Sequence, residues 1–155
     1  MATRLERARA ELSGAAIGEM ERNLPWYAAL PAEARSWVGL VAQAGITAFV
    51  TWFRDQGESP TITSDVFGTA PRALARTIML RQTVELVRTT IDVVEAYADG
   101  LPDPVERDLL RDAMLQYSRE VAFAAAEVYA QAAEARGAWD ARLESLIVDL
   151  SLIHI

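Results

Sequence analysis

The stretch 80-LRQTVELVRTTIDVVEAYA-98 decides the fold class of this chain. Leu80, Val84, Val87, Ile91 and Val94 recur at helical spacing, and Thr83, Leu86, Thr90, Val93 and Tyr97 form a second stripe beside them. Together the two stripes cover roughly half of a helix circumference. A helix that is apolar over so wide an arc packs against two or more neighbours. On its other side Arg81, Glu85, Arg88 and Asp92 alternate in sign at helical spacing. That pattern has two readings: a solvated ladder of ion pairs, or a face on which Arg81 or Arg88 meets an acidic ligand or a partner domain.

Downstream, Gly100-Leu101-Pro102 ends this helix, and Asp103-Pro104-Val105-Glu106 starts another. The start signal consists of a capping Asp, Pro at the first position and Glu at the third. The new helix is expected to run to Arg136, or past Gly137 to Leu150, which is long for a globular protein. Its last part repeats Trp139, Leu143, Leu146 (with Ile147) and Leu150, a narrow stripe like a coiled-coil seam. Tyr129 precedes it. Aromatics spaced along a terminal helix suit interface anchors, so Tyr129, Trp139, Leu143, Leu146 and Leu150 are the candidate dimer interface. Intrachain packing is the alternative.

Upstream, Ala2 to Met20 reads as a first helix with a sparse apolar side of Leu5, Leu12, Ile17 and Met20 and a charged start expected to fray. Asn23-Leu24-Pro25-Trp26-Tyr27 breaks the pattern. A second helix is predicted from Pro31 to about Asp55, with Trp37, Val41, Ala44, Ala48 and Trp52 on one face. Gly39 and Gly45 cost it stability and suit the close approach of another backbone. Gln43 within it is expected to be buried and to bond a helix end or a ligand. Gln56 to Thr63 is a polar loop, Asp65 to Gly68 a single helical turn, and Thr69-Ala70-Pro71 the capped start of a helix with a break near Met79. No strand-like alternation, internal repeat or low-complexity run occurs. The expected fold is all-α, a helical domain of about five or six helices with the two long ones at its centre.

At 155 residues with 52% apolar content, the chain has enough for one sizeable core. The formal net charge of -7 makes it a poor match for nucleic acid. Every basic residue is Arg. The absence of Cys removes disulfides, thiolate chemistry and Cys-based zinc. The single His, His154, lies next to the last residue, so neither His catalysis nor a haem held within the fold is expected. No metal site or cofactor is expected. Phosphate-binding loops, dinucleotide fingerprints, nucleophile elbows, zinc-protease motifs and EF-hand loops are all missing. Carboxylates alone could do acid/base work, but none is set apart from surface charge, so an enzyme is the weakest of the readings. The charged start is no signal peptide. The longest uncharged run, Val38 to Phe53, falls short of the roughly 20 residues that span a bilayer. A cytoplasmic protein with no membrane contact is expected. Trp26, Tyr27, Trp37, Trp52 and Phe53 suit either a core or an apolar pocket. Trp37, Gln43, Trp52, Arg81 and Arg88 are the candidate ligand-binding residues.

Five strings carry a resemblance: Leu24 to Tyr27, Ser36 to Ile46, Asp65 to Pro71, Leu80 to Arg88 and Tyr129 to Asp140. They resemble the N-terminal region of actinobacterial regulators of the PucR/CdaR type, which carry a helix-turn-helix at the other end. Within that group the likeness is to regulators of fatty-acid biosynthesis, and the N-terminal part also resembles RsbR-type stress-signalling domains. The resemblance runs from about Leu24 to Leu150. It implies an effector-sensing, dimerising domain of a transcriptional regulator, with a small apolar or acyl-type effector and a globin-like arrangement lacking haem. DNA would be bound only through a C-terminal domain beyond this chain. A ligand-free protein-interaction module is the alternative implied by the stress-signalling likeness. Two departures stand out. Met79 replaces the Ser or Thr of the family pattern, which would cap the next helix. Residues 151–155 look like an added or truncation tail. The expected organisation is therefore an N-terminal helix over 1–22, a sensor and dimerisation domain over 23–150, and that tail.

Overall fold

The computed structural model describes residues 1–58 and 77–153. The helical turn expected at Asp65 to Gly68, the helix start at Thr69-Ala70-Pro71, most of the preceding loop and His154 lie outside the described residues. The fold is all-α: α1 (Ala2–Asn23), α2 (Pro25–Ala28), α3 (Ala32–Arg54), α4 (Leu80–Asp99) and α5 (Pro104–Ile153), with no strand among the described residues. Contacts divide the chain into two units, Met1–Val121 and Ala122–Ile155.

The first unit is organised around α1. Leu5, Ala8, Leu12, Ala16 and Met20 follow one another at i, i+3 or i, i+4 steps and are all buried. This stripe packs against α3 and α4. The charged first turns look frayed in isolation, yet Leu5 is fully buried and Arg4 ion-pairs with Glu106 of α5. The alanines in the stripe were the weak part of the sequence signal, because Ala reads as helix former rather than core. In the structure they let neighbouring side chains approach.

Local chemistry sets the helix ends. Pro25 opens α2 within the stretch that reads as a simple break, since its fixed φ suits a first helical position. At the end of α3, Gln56 (φ 55°) and Gly57 (φ 83°) are left-handed. The N–H of Gly57 donates to the carbonyl of Trp52 at 2.9 Å and that of Gln56 to Phe53 at 3.3 Å, the Schellman pattern. Met79 makes no side-chain cap, as expected for a thioether. Its own N–H instead donates to Oε1 of Gln82 at 2.8 Å. Asp103 caps α5 as predicted, accepting the Val105 N–H at 2.9 Å.

Helix α3 has the length and composition of a membrane span. Its Val38, Ile46, Phe49, Val50 and Trp52 are buried within the first unit. Gly39 admits a side chain rather than a backbone: a Cβ there would lie 3.4 Å from Cδ1 of Ile17 on α1. The wide apolar arc of α4 is only partly used. Val94 and Ala98 are buried and Leu86, Val87, Ile91, Val93 and Tyr97 pack against the core, while Leu80 and Val84 stay exposed.

The role of the first turns has a direct consequence. Leu5→Ala is expected to lower stability by about 3 kcal/mol, the usual cost of emptying a buried leucine site. Urea unfolding of the two proteins measures this, and a loss near zero would show that the start of α1 is frayed after all.

Candidate interaction surface

Helix α5 spans 50 residues, and its character changes along its length. In the first unit Leu110, Ala113, Met114, Tyr117 and Val121 are buried. In the second unit Ala124 and Ala125 are still buried, but every residue from 130 to 152 is exposed. The exposed set includes Trp139 (62%), Leu143 (47%), Leu146 (56%) and Leu150 (56%). At about 100° per residue these four fall within an arc of about 60°. Arg136 and Ile147 lie together along one edge of that arc, and Ile147 is itself exposed. Tyr129 is partly buried. Gly137 does not end the helix, although glycine costs about 1 kcal/mol there. A narrow apolar seam on an exposed helix is the arrangement that pairs with another helix.

The candidate ligand residues lie in the first unit and differ in exposure. Trp52 is buried, Trp37 is half-buried, and Gln43, Arg81 and Arg88 are exposed. The expectation that Gln43 is buried is corrected: the apolar run around it is longer than the buried face of α3, which leaves Gln43 on the outer side. Arg81 is 89% exposed and ion-pairs with Glu85 at 3.6 Å, the solvated-ladder geometry. Glu85 also accepts the indole N–H of Trp26 at 2.6 Å, tying α2 to α4.

The early aromatics fall into two groups of ring contacts among the described residues. Trp26 meets Tyr27 edge-on at 6.3 Å. Phe49, Trp52 and Phe53 of α3 gather with Tyr117 of α5, whose ring centroid lies 5.0 Å from Phe49 and 5.4 Å from Trp52. Sequence reasoning missed Tyr117 as the far side of this cluster, because nothing local links positions 68 residues apart such as Phe49 and Tyr117. Its hydroxyl is buried without a hydrogen-bond partner among the described residues. Burial, reinforced by the nearby charge of Glu120, pushes its ionisation well above the ordinary tyrosine range.

A hydroxyl left unsatisfied in an aromatic core is destabilising. Tyr117→Phe is therefore expected to raise stability by about 1 kcal/mol at neutral pH. The pH dependence has a definite sign. Above about pH 10 the unfolded tyrosine ionises while the folded one stays neutral, so stability falls as pH rises. Tyr27 and Tyr97 are shifted in the same direction, so the variant should flatten the fall without removing it. Urea midpoints at about pH 8 and about pH 11 test both points.

No known family model matches the chain. It is similar, at 40% identity over 147 residues, to uncharacterized proteins of Mycobacterium tuberculosis and Mycobacterium bovis. The match covers 94% of this chain and 36% of each relative, so the chain spans about a third of the length of the curated relatives it matches.

Proposed function

We propose that this chain is the regulatory and dimerisation region of a larger cytoplasmic transcriptional regulator, with no catalytic step of its own. The observation that carries the reading is the fully exposed stretch 130–152 of α5 with its seam of Trp139, Leu143, Leu146 and Leu150. Most helical stability in proteins comes from packing of an apolar face rather than from propensity, and an exposed apolar seam is stabilised by a partner. The mycobacterial relatives extend well beyond the matched region, which leaves room for a DNA-binding part elsewhere in proteins of this kind. The likeness to PucR/CdaR-type regulators supplies the regulatory role. Control of fatty-acid biosynthesis, with a small apolar or acyl-type effector, is the form that likeness suggests.

In this reading the seam joins two copies, and an effector acts by favouring one of two packings of the first unit. Gln43, Arg81 and Arg88 are exposed, and that exposure favours a second reading, a ligand-free interaction module.

Native mass spectrometry of the 155-residue chain, beside a denaturing run, separates these readings. A dimer carrying a mass that leaves on denaturation fits a sensor, and a dimer without added mass fits the interaction module. Trp139→Ala and Leu143→Ala are each expected to weaken the dimer about tenfold or more, measured by sedimentation equilibrium. Both residues are exposed, so urea unfolding of the first unit should be little changed. An unaltered dissociation constant in both variants would remove the seam from the interface.

A further inference from the structure

Resting on the dimer reading above, we infer that two copies of this chain pair through residues 136–150 of α5 in the antiparallel sense. The polar residues beside the seam carry the inference. With Leu143 and Leu150 at a positions, and Trp139 and Leu146 at d positions, Arg142 and Asp149 are the residues that precede each a position. Both are exposed. An antiparallel pair sets a against d, so Leu143 faces the partner's Leu146 and Trp139 faces the partner's Leu150. The twofold axis then falls between Glu144 and Ser145. In that register Arg142 of each chain lies across from the partner's Asp149, giving two symmetric ion pairs.

The parallel alternative uses the same seam with poorer complementarity. Within residues 136–150 it places Arg142 across from the partner's Ile147. It also stacks Arg136, an a position, on the partner's Arg136 inside the seam, where like charges repel. The antiparallel register carries Arg136 to the outer end of the pairing and separates the two copies of it.

Two measurements on the 155-residue chain test the inference. The first is a charge swap read by sedimentation equilibrium. Arg142→Asp and Asp149→Arg alone each turn two attractions into two repulsions and are expected to weaken the dimer roughly tenfold. The double variant restores opposite charges across the axis and should return to within about threefold of the parent. The second places a nitroxide on Glu134→Cys. The chain has no cysteine of its own, and Glu134 is exposed on the side away from the seam. Antiparallel pairing separates the two labels by about 21 residues of helix, or about 31 Å along the axis. Parallel pairing leaves them at the same height on opposite outer faces, at about 25–30 Å across both helices and the label arms, whereas in the antiparallel pair that width adds to the axial separation and brings the total to about 40 Å.

A long label distance with rescue by the double variant is the expected result. A short distance, or a double variant as weak as the singles, overturns the antiparallel arrangement while the dimer reading stands. A parent chain that stays monomeric at every concentration overturns the dimer reading itself. A dimer indifferent to Trp139→Ala and Leu143→Ala shows that the copies meet elsewhere.

Discussion

Burial of one stripe on the first helix underlies the rest of the first unit. Leu5, Leu12 and Met20 supply the apolar area, and Ala8 and Ala16 alternate with them along α1. Without that surface, α3 and α4 would lose the element that both pack against. Small residues between large ones let a neighbouring helix seat its side chains in the gaps, and Ile17 against Gly39 repeats the device on the flank of α1. The contact of Arg4 with Glu106 then brings the start of α5 to the same helix. A charged, alanine-rich N-terminus thereby becomes the centre of the packing.

The same economy of apolar surface explains the two halves of α5. Its first turns contribute Leu110, Met114 and Tyr117 to the core, and the aromatic group of Phe49, Trp52 and Tyr117 fastens them to α3. Beyond Ala125 no side chain from 130 to 152 is covered. One helix thus carries two kinds of surface, one buried by its own chain and one exposed along 130–152. In the proposed function it is the exposed surface that joins two copies.

The exposure of the polar candidate ligand residues has a physical origin. Gln43, Arg81 and Arg88 were drawn together in sequence space by chemistry, being polar groups beside apolar faces. Folding sends such groups to solvent unless a buried partner offsets the loss of hydration. Arg81 pairs within its own helix, and Gln43 lies on the outer side of α3. Tyr117 is the reverse case, a polar atom carried inward because its ring is worth more buried than its hydroxyl costs.

Periodicity and punctuation, both local, made much of the fold legible from the sequence. The all-α class follows from the stripes of residues 80–98 and 139–150. The start of α5 was readable from Asp103 and Pro104, and the end of α4 from Gly100. The seam residues Trp139, Leu143, Leu146 and Leu150 were legible for the same reason, since a narrow stripe needs only the helical repeat to be recognised. Tertiary structure alone decided which apolar faces are used up. It buried α1 through its alanines, exposed Gln43, left Leu80 and Val84 uncovered, and joined Phe49 to Tyr117. Those outcomes depend on contacts between residues far apart in the chain. Helical spacing says which side chains share a face, but only packing says what that face meets.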